Sequence, residues 1–110
     1  MGSMNTTDVK QTIAISSTDT LQKYVGTSAT DIGSARLKAV QAQSSAADGS
    51  VKIYNESDSS KTASALVFEA KWGIEANESF TFYLPQNGIR CKTAMHAVLS
   101  NCDYLVVTFD

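Results

Sequence analysis

Four residues near the end of the chain are of types that bind metals or catalyse reactions: Cys91, His96, Cys102 and Asp103. Their spacing is C-x4-H-x5-C-D, and the sequence holds no other cysteine or histidine. Structural zinc sites usually take two ligands from one C-x2–4-C turn and two from another segment, and this chain has no such turn. On one continuous strand, moreover, Cys91 and His96 would face opposite ways. The pattern therefore predicts no metal ligand and no cofactor.

The two cysteines could instead form a disulfide or remain free. A disulfide requires neighbouring strands with Cα atoms within about 7 Å. Residues 1–10 contain no basic segment followed by an apolar run, so we expect no secretory signal and synthesis in a reducing cytosol. Buried free thiols are therefore the favoured interpretation, and the disulfide is the alternative.

Catalysis by a cysteine would need a thiolate, a nearby base and a group that orients the base. The sequence offers no residue that would orient His96, and it has no G-x-S-x-G motif and no phosphate-binding loop. We interpret His96 as a strand histidine, at an interface or packed at a sheet edge. The sequence thus predicts no catalytic residue and a protein that is not an enzyme.

Alternating apolar residues favour strands along most of the chain. In "ARLKAVQAQ" a helix is also possible on propensity, but we predict a strand that pairs with the following "SVKIYN" through a hairpin turn at Asp48–Gly49, with the glycine at positive φ. The alternation in the first of these segments predicts two faces: Leu37, Ala39 and Gln41 opposite Arg36, Lys38, Val40 and Ala42.

The second half of the chain shows the same alternation. "ASALVFEAKWG" places Leu66, Phe68 and Ala70 on one face, with a helix as the alternative, and "ESFTFYLP" sets Phe80, Phe82 and Leu84 against Thr81 and Tyr83. A tight turn at Asn87–Gly88 and two final strands, separated by residues 101–103, complete about eight short strands. This pattern predicts an all-β, single-domain β-sandwich, jelly-roll-like and antiparallel.

Composition limits the partners. The net charge is -2 and only 18% of residues are charged, with no basic patch, so we expect no nucleic-acid binding. The run "YLVVTF" is far shorter than the roughly 20 residues of a membrane span, so we expect no membrane binding. We predict a flexible N-terminal arm over residues 1–12, of which 1–3 are either native or a tag remnant, and a β-sandwich domain over residues 13–110.

The last third of the sequence, "FTFYLPQNGIRCKTAMHAVLSNCDYLVVTFD", resembles the closing strands of small virion structural proteins from tailed bacteriophages. In that group a P-x-x-G-I turn leads to a short strand, then to a strand ending L-S/T-N-x-D and a β-rich terminus. Upstream, residues 50–54 are similar to a strand that follows a small-residue loop, so the resemblance covers residues 34–110. The matching positions near the end are Pro85, Gly88, Ile89, His96, Leu99, Ser100, Asn101, Asp103 and 106–109.

The resemblance implies a non-enzymatic virion protein, made in the host cytoplasm. The first expectation is a capsid decoration (cement) protein that binds the major capsid protein or other virion proteins as a homo-oligomer, for which a trimer would suit capsid three-fold positions. The alternative is a neck, tail or fibre accessory module that binds host-surface carbohydrate or another virion protein. Trp72 and Tyr83 would then be candidate platform aromatics, although we favour a position in the core or at its edge for Trp72. The family more often carries apolar residues at positions 91 and 102, which favours cysteines that fill space.

Overall fold

The computed structural model describes residues 10–73, 78–85 and 87–110, and these ranges form β-strands and a single turn of 3-10 helix at Ala63–Ala65. The all-β prediction is confirmed. The strands are more numerous than predicted because several are very short. Their bounds are β1 (Lys10–Gln11), β2 (Asp19–Thr20), β3 (Gln22–Val25), β4 (Ser28–Asp31), β5 (Ala35–Ser44), β6 (Gly49–Tyr54), β7 (Leu66–Trp72), β8 (Ser79–Tyr83), β9 (Ile89–Cys91), β10 (His96–Ser100) and β11 (Cys102–Phe109).

The strands form three antiparallel sheets. A five-stranded sheet has the order β1-β11-β5-β8, with β9 also pairing with β5, and a four-stranded sheet has the order β2-β10-β6-β7. Strands β3 and β4 form a separate two-stranded hairpin. Among the described residues, no helix has the length and hydrophobicity needed to cross a bilayer.

The two larger sheets contribute to one hydrophobic core. The five-stranded sheet supplies Leu37 and Leu105, the four-stranded sheet supplies Val51 and Ile53, and all four are fully buried. Burial of each such aliphatic side chain contributes about 1.5–3 kcal/mol to folding.

The predicted N-terminal arm meets the described structure only at its end. Residues 1–9 lie outside the described residues. Lys10 and Gln11 pair with Phe109 and Thr108 on β11, and the next residue, Thr12, is buried and donates its N–H to the Val107 carbonyl at 2.9 Å. The β-structure therefore includes Lys10, while the arm and its boundary stay a prediction.

The segment "ARLKAVQAQ" is a strand, so its helical alternative is wrong, but its predicted faces are also wrong. Leu37 lies opposite Phe109 and Ala39 lies opposite Thr108, which leaves Lys38 as an extra residue on β5. One extra residue reverses the side-chain alternation beyond it. Val40 and Ala42 therefore join Leu37 in the core.

The hairpin predicted at Asp48–Gly49 is also wrong, because β5 and β6 belong to different sheets. Asp48 adopts the positive φ of 57°, and Gly49 lies within β6 at a φ that any residue can adopt. Glycine is needed at position 49 for another reason: a Cβ there would overlap the Trp72 indole and the Ser100 carbonyl oxygen.

The tight turn predicted at Asn87–Gly88 is confirmed. Gly88 has a φ of 76° and donates its N–H to the Pro85 carbonyl at 3.0 Å. The turn joins β8 to β9, and both strands pair with the same edge of β5. A Cβ on Gly88 would overlap the Leu37 carbonyl, so the turn approaches β5 more closely than any other residue would allow.

The alternation predicted for residues 66–84 holds with one exception. Phe80, Phe82 and Leu84 pack against the core and Tyr83 is exposed, as expected. The helical alternative for "ASALVFEAKWG" is wrong beyond its first turn. The predicted inward position of Leu66 is wrong: it is 36% exposed, because a register shift in the pairing of β6 with β7 breaks the alternation between Leu66 and Phe68.

Candidate functional site

The structure separates the two cysteines. Cys91 lies opposite Ala35 at one end of β5, and Cys102 lies opposite Ser44 at the other end. Nine residue steps of about 3.3 Å place their Cα atoms about 30 Å apart, against the roughly 7 Å that a disulfide allows. The disulfide alternative is therefore wrong, and both residues are buried free thiols, as the favoured interpretation held.

Neither thiol is activated. Burial raises the pKa of Cys91 to about 11, and burial also raises the pKa of Cys102. The Cys102 Sγ donates a weak hydrogen bond to the Tyr104 carbonyl at 3.4 Å. Because the thiolate is both the nucleophile and the metal ligand, these neutral thiols are poorly suited to either role.

His96 lies on β10, between β2 and β6, so it is neither at a sheet edge nor on a strand shared with Cys91. The parity argument for Cys91 and His96 therefore does not apply, because the chain changes sheets between them. His96 Nδ1 lies 2.9 Å from Thr20 Oγ1, and that hydroxyl donates to the Ser57 carbonyl at 3.1 Å. A hydroxyl has one hydrogen, so Nδ1 must be the donor to Thr20.

The remaining histidine nitrogen is enclosed. With the proton on Nδ1, Nε2 carries a lone pair, and this atom is buried without a hydrogen-bond partner in the described part of the chain. The Thr20 hydroxyl that accepts from the histidine also joins it to the segment that follows β6, where the Ser57 carbonyl receives the Thr20 hydrogen bond. Nearby, hydrogen bonds from Ser60 lower the pKa of Asp58, with a smaller contribution from His96. The histidine links β10, β2 and this segment.

The four residues singled out in the sequence are thus not brought together. Cys91, His96 and Cys102 lie on β9, β10 and β11, and Asp103 is exposed beside Cys102. Across residues 10–73, 78–85 and 87–110, no group of three or more His, Cys, Asp or Glu side chains could hold a metal ion. The arrangement provides packing and one hydrogen-bond network.

Trp72 belongs to an aromatic cluster at the core. Its ring centroid lies 4.8 Å from that of Phe80, and its indole N–H donates to the Ala46 carbonyl at 3.1 Å. Phe80 and Phe82 are 5.3 Å apart, and Phe82 and Phe68 are 5.8 Å apart. The cluster connects β7 of the four-stranded sheet to β8 of the five-stranded sheet, and Trp72 is partly buried against the core, which agrees with the favoured position in the core or at its edge.

On the outer surface of the five-stranded sheet, no acidic or basic side chain lies in the region where residues 39–43 of β5 pair with β8 and β11; Arg36 and Lys38 of β5 and Asp103 of β11 border this region. Val40 and Ala42 point into the core, so Gln41 and the residues paired with it point outward. We call this surface the uncharged face. Its residues, strand by strand, are Ser79, Thr81 and Tyr83; Ala39, Gln41 and Gln43; Tyr104, Val106 and Thr108.

Two exposed tyrosines mark opposite corners of the uncharged face. Tyr83 is 81% exposed and Tyr104 is 39% exposed. They are separated by two strand spacings across the sheet and four residues along it, which gives about 16 Å between their Cα atoms. Sequence alternation identified Tyr83 as outward-facing, but the reversed parity of β5 prevented the rest of the face from being assembled.

The outer surface of the four-stranded sheet differs. There Lys52, Glu69 and Lys71 form a chain of ion pairs, with N–O distances of 4.0 Å and 3.7 Å to the shared carboxylate. Such charges are strongly hydrated and resist burial by a partner. Of the two outer surfaces, the uncharged face is therefore the one that a partner could cover without desolvating charged groups.

Comparison with known proteins adds no relative: the chain matches no protein-family model, no curated protein and no solved structure. The fold and the site together define an all-β protein with an uncharged region on the outer surface of one sheet.

Proposed function

We propose that this chain is a non-enzymatic structural protein of a tailed-bacteriophage virion, and specifically a capsid decoration protein that binds the major capsid protein through the uncharged face. The observation that carries the proposal is the chemistry of that face: around the small or buried Ala39 and Val106 it presents glutamine, threonine, serine and tyrosine, and none of its nine residues is charged. The sequence resemblance over residues 34–110 supplies the virion context.

The physical case rests on desolvation. Covering an ionised side chain requires a paired charge and well-formed hydrogen bonds, whereas amide, hydroxyl and aromatic groups can be satisfied by a partner's backbone or side chains. Tyrosine contributes large contact area with little loss of conformational freedom and retains a hydroxyl for hydrogen bonding. In this proposal the two larger sheets form a jelly-roll-like β-sandwich, with one surface docked on the capsid and the other, with Lys52 and Glu69, facing solvent.

The direct test uses particles of the phage that encodes the chain. Mass spectrometry of purified virions would give the copy number, and electron microscopy would locate the protein on head, neck, tail or fibre. We expect it on the head, at a stoichiometry that follows capsid symmetry, as a homo-oligomer such as a trimer. Mature particles without the protein would exclude the virion function.

A matched pair of variants tests the docking surface. Gln41→Lys introduces a charge at the centre of the uncharged face, and Ser100→Lys introduces the same charge at an exposed position on the four-stranded sheet. When each variant is added to particles lacking the protein, Gln41→Lys should bind at reduced occupancy and Ser100→Lys at normal occupancy. Equal occupancy would show that capsid binding does not use this face.

Tyr83 favours one alternative, a neck, tail or fibre module that binds host-surface carbohydrate. A tyrosine ring exposed over 81% of its surface is available to stack on a sugar, whereas Trp72 is not. A glycan array probed with the unmodified protein and with Tyr83→Phe and Tyr83→Ala distinguishes the two functions. Binding that survives in Tyr83→Phe and is lost in Tyr83→Ala would support the carbohydrate module in place of the decoration protein.

A further inference from the structure

A cleft of about 470 Å³ separates the start of the five-stranded sheet from the β3–β4 hairpin. Residues 10–13 form one wall and residues 23–25 form the other. A hydrogen bond from the Ile13 N–H to the Gln22 carbonyl at 2.8 Å joins the two walls, and among the described residues no other backbone hydrogen bond connects them. The cleft is therefore an opening between two strands that would otherwise be neighbours in one continuous sheet.

Both walls present backbone groups that the adjoining strands do not use. Thr12 points its N–H toward β11 and Ile13 points its N–H toward β3, so by alternation the N–H and C=O of Gln11 face the cleft. On the other wall, the Gln22 carbonyl accepts from Ile13, so the backbone groups of Tyr24, two residues further on, face the cleft as well. Two strand edges with available donors and acceptors thus face one opening.

The side chains around the cleft define the chemistry of an occupant. Lys10 and Lys23 both line it, and neither forms an ion pair with a residue in the described ranges. Tyr24 and Val25 also line it, and they are 66% and 58% exposed. The chain as a whole has a net charge of -2, whereas the cleft carries two positive charges beside two exposed apolar side chains.

We propose that this cleft binds an extended acidic segment of a partner protein, which enters as an additional β-strand between β1 and β3. Its backbone would hydrogen-bond with Gln11 on one side and Tyr24 on the other. Its carboxylates would pair with Lys10 and Lys23, and its apolar side chains would cover Tyr24 and Val25. The cleft is separate from the uncharged face, and it can bind such a segment whether or not the protein is a virion component.

The experiment begins with a random eight-residue peptide display library selected on the full-length protein. We expect enrichment of Asp and Glu alternating with β-branched or aromatic residues. The most enriched peptide is then synthesised with a fluorescent label, and its affinity is measured by anisotropy. A selection that yields no binder, or binders without acidic residues, would overturn the proposal.

Two matched pairs of variants test the mode of binding. Lys10→Glu/Lys23→Glu should weaken binding by about tenfold or more, whereas Lys71→Glu/Lys92→Glu, with the same change in net charge on exposed lysines elsewhere, should stay within about twofold. Gln11→Pro removes the N–H that faces the cleft without breaking the pairing with β11, and it should also weaken binding about tenfold.

Ala29→Pro is the control for the proline variant. Ala29 lies on β4 opposite Tyr24, so its N–H points away from β3 on the far edge of the hairpin. This variant should bind the peptide normally, and circular dichroism should show that every variant keeps its β-structure. Equal weakening by both prolines, or equal binding by both lysine pairs, would exclude strand addition in the cleft. Self-association that requires Lys10 and Lys23 would instead identify a second copy as the occupant.

Discussion

Replacing Gly88 with alanine should destabilise the fold far more than the same replacement at Gly26. Both glycines have left-handed backbone conformations, with φ of 76° and 65°. They differ in the space around them: a Cβ on Gly88 would overlap the Leu37 carbonyl and come within 3.2 Å of the Lys38 side chain, whereas a Cβ on Gly26 would meet nothing within 4 Å. The pair therefore separates the effect of backbone conformation from that of close approach.

The expected magnitudes follow from this difference. A left-handed conformation costs a non-glycine residue about 1–2 kcal/mol, and part of this is offset because alanine lowers the entropy of the unfolded chain by about 0.4–1 kcal/mol. Gly26→Ala should therefore cost about 1 kcal/mol or less. Gly88→Ala adds an overlap with backbone that cannot rotate away, which overpacking data place at about 1–3 kcal/mol. Its total should be about 3 kcal/mol.

Urea unfolding followed by the fluorescence of Trp72, the single tryptophan, provides the measurement. The midpoint for Gly88→Ala should fall well below that for Gly26→Ala, with similar slopes if both native states remain equally compact. In thermal unfolding the larger loss corresponds to a fall in Tm of about 10–15 °C. Equal losses at the two positions would refute the conclusion that the turn at Gly88 is pressed against β5.

Three further predictions test the core and the histidine network. Because burial raises the pKa of Cys91 from 9.0 to about 11, only the unfolded state loses this proton between those values. The free energy of unfolding should therefore fall as the pH rises from 9 to 11. Thermal melts at these two pH values should show a smaller fall for Cys91→Ala than for the unmodified protein; an equal fall would contradict the raised pKa of Cys91. Nitrogen-15 NMR should show His96 protonated at Nδ1, and Thr20→Val should cost about 1–3 kcal/mol; an Nε2-protonated ring in the unmodified protein would contradict the network. Gly49→Ala should cost about 3 kcal/mol, and less in a Trp72→Phe background, because the smaller ring vacates part of the overlapped space; identical losses in both backgrounds would rule out the indole as the obstacle.

Local alternation predicted most strands correctly because burial of one sheet face imposes a period of two on the sequence. It failed where one residue is inserted, as at Lys38, since the pattern of "ARLKAVQAQ" fits either parity about equally well. The bulge lies where the pairing of β5 changes from β9 to β8, and the Leu84 N–H there donates to the Lys38 carbonyl at 3.0 Å. The bulge is thus fixed by a contact with a residue more than forty positions away, and a pattern read over neighbouring residues cannot include that contact. The sequence did not predict the uncharged face for the same reason, because the wrong alternation in β5 placed Gln41 on the side of Leu37.

Local sequence patterns also could not predict which of the two sheets each strand joins. Asp48 and Asn101 have φ of 57° and 51°, so the chain does turn at both predicted breaks between strands, although the positive φ predicted for Gly49 lies at Asp48. At each one, however, the chain leaves one sheet and enters the other: from β5 to β6 at Asp48, and from β10 to β11 at Asn101. A left-handed residue fixes a sharp change of direction but does not determine which strand the next segment will pair with. That choice depends on packing, and here Trp72 over Gly49 commits β6 to β7, while the Ala47 carbonyl accepts from the Asn101 side chain at 3.0 Å and holds the two corners together. Between the two cysteines the chain leaves the five-stranded sheet for β10 and returns at the other end of β5, so that Cys91 lies opposite Ala35 and Cys102 opposite Ser44. A stretch that resembles a ligand cluster in the sequence therefore forms none.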